Sequence, residues 1–260
     1  MYNPAARSRQ ARAAMSQRTL RATLLWIAAG FFALGLASVL LRPSAPSAAT
    51  ATSTDEPTPA PDAPQSTALI LGVDDLGSSS PQLLAVWLAA HRPPGRAVYL
   101  FGLTTDTNTA DGAKLTQAFS WKPGSGPSRE FLSAVASLSP VALDVVVVMD
   151  ETAFAALIDF LGGVELEGGV VGGREVIGVM GLLTGDAAAS LDAQGRLLEA
   201  LAQRAGQVGP GTELKPLADL VPEHLYLSIP TADALTRLAP LLPLDRSNIH
   251  ISLPLPNEES

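Results

Sequence analysis

The sequence contains no cysteine, which excludes disulfide frameworks, thiolate nucleophiles and cysteine-ligated zinc or iron–sulfur sites. Histidine is nearly as scarce. His91, His224 and His250 are scattered along the chain, and none has a partner at metal-ligand spacing. No serine sits in a G-x-S-x-G elbow, so a serine hydrolase has no support. Neither G-x-x-x-x-G-K-[ST] nor G-x-G-x-x-G occurs. The glycine pairs at 162–163, 168–169 and 172–173 therefore read as turns between short strands rather than as a phosphate cradle.

Acidic residues are missing from the first 42 positions, where Arg7, Arg9, Arg12, Arg18, Arg21 and Arg42 stand alone. All 25 Asp and Glu follow, against a formal net charge of −8 for the whole chain. A body this acidic lacks the basic footprint of a nucleic-acid binder, so no nucleic-acid partner is expected.

Ala22–Leu41 has no charge and no polar face. At about 1.5 Å per residue it spans roughly 30 Å, the thickness of a bilayer's hydrocarbon core. Five arginines before it and one after predict a transmembrane signal anchor over 22–41 with a cytoplasmic basic tail at 1–21. A cleaved signal peptide is the alternative, favoured by small residues at 45–49 but opposed by the length of the apolar run. Residues 42–67 are mostly Pro, Ala, Ser and Thr. They bury too little apolar surface to offset chain entropy and read as a disordered tether. The expected localisation is the cell membrane, single-pass, with an extracytoplasmic domain over 68–254 and a short tail at 255–260.

Within that domain, Ala68–Val73 is a continuous apolar run and predicts a buried first strand. Leu83–Ala89 and Ala97–Leu103 predict an antiparallel hairpin across the turn-forming 91–96 stretch. Lys114–Ser120 is short and amphipathic, and Ser128 caps a helix carrying Phe131, Leu132, Val135 and Leu138. The centre is Asp144–Glu167. There a β-branched strand (Val145–Met149) meets Asp150, whose carboxylate suits a helix N-terminus. Phe154, Leu157, Ile158 and Leu161 follow at helical spacing. Gly162-Gly163 stops that helix, and Val164–Leu166 alternates like a strand. A helix over 186–204, a strand at 225–229, a helix at 232–241 and a strand at 249–253 complete an α/β fold with a mixed central sheet flanked by helices. Asp74 and Asp75, at the end of the first strand, and Asp106, past the hairpin and expected near Asp74, are candidates for a hard cation such as Mg²⁺.

These segments resemble the LytR–CpsA–Psr family of bacterial envelope proteins. FAALIDFLGGVEL (154–166) is similar to the family's "aF…lvDalGGVeV", ALILGVD (68–74) to its first strand, and GLTTDT (102–107) to "SIPRDT". KLTQAF (114–119) resembles "KINaAy", LTGDA (183–187) resembles "LdGeqA", and 248–254 fits the family's end. The resemblance implies an α-β-α sandwich that binds a polyprenyl-diphosphate-linked glycan, and in active members transfers it to a cell-wall acceptor with Mg²⁺. It implies binding roles for Asp74, Asp106 and Arg196, the two aspartates as Mg²⁺ ligands. The chain departs from the family at its charges. Ser78–Gln82 replaces "gRSDT", Thr105 takes the arginine position of "PRD", and 190–195 shortens an arginine-rich region, leaving Arg196 nearby. Two readings follow: a non-catalytic or impaired protein that binds polyprenyl-linked glycopolymer, peptidoglycan or an envelope partner, or a Mg²⁺-dependent glycopolymer transferase with a rebuilt site.

Overall fold

The computed structural model describes residues 65–93, 95–139, 142–166, 168–183, 185–206, 215–238 and 246–254. The expected anchor at 22–41, the tails, and nearly all of the tether at 42–67 lie outside them. Among the described residues no helix is long and apolar enough to cross a membrane.

The central sheet has six strands: β1 (Ser66–Val73), β2 (Leu83–His91), β3 (Val98–Leu103), β6 (Val145–Met149), β9 (Leu225–Leu227) and β10 (Ile249–Ser252). Their spatial order is β10-β3-β2-β1-β6-β9. β2 runs antiparallel to β1 and β3, forming the expected hairpin. β6 lies parallel to β1, β10 lies parallel to β3, and β9 returns antiparallel to β6. The sheet is mixed, as the sequence predicted. Alternating side chains feed two cores. Ile70, Trp87, Leu100 and Val147 face helices α3 (Glu151–Phe160) and α5 (Ala187–Ala205). Leu69, Leu71, Val86 and Val148 face α1 (Leu115–Ala118) and α2 (Arg129–Ser137), whose Leu115, Phe131 and Val135 are buried.

The helix starts follow local chemistry. Ser128 Oγ accepts from Phe131 N at 3.2 Å, and Asp150 Oδ1 accepts from Thr152 N and Ala153 N at 2.9 and 3.0 Å. Asp186 Oδ1 accepts from Ala189 N at 2.9 Å, opening α5, whose Leu191, Leu197, Leu198 and Leu201 are all buried.

One expectation needs correction. The pair Gly172-Gly173 does not separate strands; Gly173 begins a further helix, α4 (Gly173–Met180), which packs on α3. The side-chain-free Gly173 is what lets the two backbones approach. Val164–Leu166 is the strand its alternation predicts, β7, and it lies outside the central sheet. It forms its own hairpin with β8 (Gly169–Val171), turned by Gly168 at φ 92°. Three residues are too few to reach back across the α3 layer. Residues Thr231–Leu238 form α7. The small β4 (Trp121–Lys122) and β5 (Gly126–Pro127) pair, the four-residue α6 (Lys215–Ala218) and a 3-10 turn at Arg246–Asn248 fill the connections.

Candidate functional site

The ends of β1, β3 and β6 and the starts of β2 and β9 share one rim of the sheet. Asp74, Asp106, Asp150 and His224 all follow or precede these strand ends.

Asp74 follows β1 and is engaged by its own turn. Its Oδ1 accepts from Asp75 N at 2.8 Å and from Gln82 N at 2.7 Å. Asp75 Oδ1 accepts from Gly77 N at 2.8 Å. Both aspartates thus hold the loop that carries the chain from β1 into β2, a common use of short carboxylates.

Asp106 follows β3. It lines a cavity of about 310 Å³ with Gln82, Thr105, Lys114, Leu183, Gly185 and Ser190 among others. The hairpin places β2 between β1 and β3, so Asp74 and Asp106 end up on one rim, one strand apart. Gln82 stands between them, bonded to Asp74 and facing the cavity. Arg196 is elsewhere: it lies on the exposed side of α5 against Asp192. No arginine is in the described lining of this cavity, and its single cation is Lys114. Lys114 carried no role in the sequence reading. A lysine at the head of a short helix gives no signal until the fold brings it to the cavity that Asp106 also lines.

Asp74 and Asp106 could offer a metal at most two carboxylates on this rim. Among the described residues no three His, Cys, Asp or Glu side chains group as a metal site. Asp74 spends one oxygen on two backbone N–H groups, and the cavity at Asp106 already contains an ammonium. Two carboxylates do not make an all-protein cage; a Mg²⁺ held there would complete its octahedron with substrate phosphate and water.

Next to Asp74 lies a second carboxylate group. Asp150 is 2% exposed, and its Oδ2 is 2.7 Å from His224 Nδ1. Glu151, the first residue of α3, has its carboxyl pushed above the usual range, first by burial and then by the charges of Asp74 and Asp150. His224 showed no sequence signal because its partner lies on a different strand. The other histidines are structural: His91 Nδ1 is 3.2 Å from Ala97 O across the hairpin, and His250 stacks on Tyr99 with ring centroids 4.9 Å apart.

A larger groove, about 560 Å³, runs along β3 on the α2 side of the sheet. Leu88, Tyr99, Phe101, Leu103 and Leu138 line it, and Leu253-Pro254 closes one flank. Tyr99 and Phe101 are 44% and 43% exposed although they point from a central-sheet strand. The helices of that face cover β1, β2 and β6 and leave β3 uncovered. The groove's lining reaches Leu103, and the lining of the polar cavity resumes at Thr105. The apolar trough lies on the α2 face and the small polar cavity on the rim toward α5, and the two share no lining residue.

No protein-family model matches the chain, and no curated protein sequence matches it. Solved structures do. TagT bound to LI-WTA superposes with a TM-score of 0.56 at 16% identity, over 77% of this chain and 82% of that one. B. subtilis TagV gives 0.55 at 16%, over 73% and 84%. A LytR-Csp2A-Psr enzyme from Actinomyces oris gives 0.54 at 21%, over 75% and 83%. The mixed sheet, the two helical layers and these superpositions agree: the chain has the fold of the LytR–CpsA–Psr proteins.

Proposed function

We propose that this chain is a membrane-anchored, extracytoplasmic glycopolymer-binding protein of the cell envelope, one that holds its ligand without transferring it. The observation that carries the reading is the exposed apolar groove along β3; the separate polar cavity at the rim has no arginine in its described lining. TagT, which shares the fold, was solved with a wall-teichoic-acid ligand, and the groove at Tyr99 and Phe101 suits the isoprenoid chain of a lipid-linked glycan. Apolar area buried there contributes roughly 25 cal/mol per Å².

What the polar cavity does not offer is a grip on a diphosphate; the arginine in the groove's lining, Arg92, follows β2 at the opposite rim of the sheet. Arginine forks supply charge-assisted bonds of about 1.5–3 kcal/mol each, and a phosphoryl-transfer site depends on such groups to stabilise the developing charge. Lys114 is a single point charge, and Asp106 opposes it. The ligand is then held by its chain and its sugars, and the scissile bond is left unactivated. Uncharged 22–41 at the N-terminus supports the anchored placement.

The test uses the full chain in nanodiscs with a polyprenyl-diphosphate-linked disaccharide and Mg²⁺. Saturable binding without release of polyprenyl phosphate is the expected result, and Phe101→Ser should weaken it at least tenfold. Robust Mg²⁺-dependent release would establish the transferase reading instead, with Asp74 and Asp106 as its first candidate ligands for the metal.

A further inference from the structure

The smaller cavity is electrically balanced. Asp106 and Lys114 contribute one charge of each sign, and the rest of its described lining is neutral: amide and hydroxyl groups from Gln82, Thr105 and Ser190, and apolar surface from Leu83, Leu84 and Leu183. Beyond the lining stand further acids. Asp74 is bonded to Gln82, Glu151 feels the charge of Asp74, and Asp186 caps the helix that supplies Ser190.

Two kinds of ligand fare differently in such a place. Asp106 and Lys114 are both exposed, so a diphosphate with its two or more negative charges gains there only if the local cations outweigh the acids. One ammonium opposed by a carboxylate does not outweigh them, and the surrounding acids add to the repulsion. A neutral sugar ring has no charge to strand. Its hydroxyls donate and accept, as do the groups it would meet: an ammonium and an amide N–H₂ that donate, a carboxylate and an amide oxygen that accept, and hydroxyls that do both. Leucine surface suits the C–H faces of the ring. Ser190 is fixed for the task, since it is buried and its Oγ accepts from Gln194 Nε2 at 3.0 Å. The cavity's 310 Å³ lies at the small end of the range for ligand pockets, roughly 300–1,000 Å³.

We infer that the cavity between Asp106 and Lys114 is a subsite for an uncharged sugar ring and discriminates against phosphate and diphosphate groups. The inference rests on the glycopolymer-binding reading above and names which part of such a ligand this cavity recognises. Lys114 and Asp106 act as a donor–acceptor pair across the ring. Their opposite charges set the selectivity.

The experiment titrates the full chain in nanodiscs with the β-1,4-linked tetramer of N-acetylglucosamine, which is uncharged and free of lipid, and separately with inorganic pyrophosphate. Binding is followed by saturation-transfer NMR and calorimetry. The tetramer should bind saturably, and pyrophosphate should neither bind nor displace it. Lys114→Ala should weaken the tetramer about tenfold. Asp106→Asn, which leaves the lysine unopposed, should do the same and let pyrophosphate bind. Glu165→Gln, on the separate β7–β8 hairpin, should change neither. Pyrophosphate binding to the unaltered protein as tightly as the tetramer would overturn the inference, as would tetramer binding that ignores both cavity substitutions. No saturable tetramer binding would overturn it too. In that last case, retained binding of the lipid-linked disaccharide, still sensitive to Phe101→Ser, would leave the broader reading standing.

Discussion

Gly173 packs against the backbone of Ala155 so closely that a β-carbon built on it would fall within 3.0 Å of Ala155 O, Cα and C. The contact is backbone to backbone, between the first turn of α4 and the middle of α3, and neither side has a flexible atom to move. Asp159 Oδ1 adds a bond from Gly173 N at 2.6 Å. Gly173→Ala should therefore cost about 3 kcal/mol, the upper end of overpacking penalties. Urea denaturation followed by circular dichroism would measure it. Gly178→Ala, five residues along where a β-carbon meets nothing within 4 Å, should be neutral or slightly stabilising, as a helix-interior glycine is replaced by the best helix former.

Asp150 serves two partners at once. Its Oδ1 caps α3 and its Oδ2 faces His224. Asp150→Ala removes both, and an N-cap loss alone costs about 1 kcal/mol, so destabilisation of about 2 kcal/mol is expected. Asparagine caps a helix as well as aspartate does. Asp150→Asn should therefore recover about half of that loss, leaving only the His224 contact impaired. If the two variants proved equally unstable, the cap would not be the main contribution.

The fold was readable where one local signal settled one local choice. The run of valines at 145–148 admits a buried strand, Asp150 offers a cap, and Gly162-Gly163 supplies the two residues at φ 77° and 87° that stop α3. The error arose where a residue's meaning came from across the fold. Gly173 looks like any turn glycine until Ala155 is beside it. The candidate site shows the same division. Asp106 was visible as an acid after a strand, whereas Lys114 needed the topology to bring it to the cavity that Asp106 also lines, and His224 to bring it to Asp150. Arg196, adjacent in sequence to the expected arginine-rich region, turns to Asp192 because both lie one turn apart on the exposed face of α5.

Glu151 gives a pH signature. Its carboxyl titrates above the ordinary glutamate value of 4.5, raised first by burial and then by Asp74 and Asp150. A group whose folded-state pKa is raised contributes stability below its unfolded pKa and loses it as pH climbs through the folded value. At neutral pH the ionised Glu151 is therefore a liability, softened by its place at a helix N-terminus. Glu151→Gln should raise the Tm at pH 7, and the gain should shrink to nothing by about pH 4, near the unfolded glutamate value. A gain independent of pH would show that packing, not charge, is what the substitution changed.

Trp87 and Gln194 test whether the polar cavity is braced from beneath. Trp87 is fully buried, and its Nε1 donates to Gln194 Oε1 at 2.8 Å. Gln194 Nε2 in turn donates to Ser190 Oγ at 3.0 Å and to Leu84 O at 3.4 Å. The chain of bonds ties β2 to α5 and ends on a residue that lines the cavity. Gln194→Leu keeps the volume and leaves the indole N–H without an acceptor, which costs about 1–3 kcal/mol in a buried setting. Trp87→Phe removes that donor, so Trp87→Phe combined with Gln194→Leu should be more stable than Gln194→Leu alone, despite the void left by the smaller ring. A double-mutant cycle in urea would read this coupling directly. Because Ser190 also loses its Gln194 donor, Gln194→Leu should weaken tetramer binding at the cavity while leaving the Tyr99–Phe101 groove unaffected. A coupling near zero would mean that the indole and the amide act independently, and that Ser190 is positioned by its helix alone.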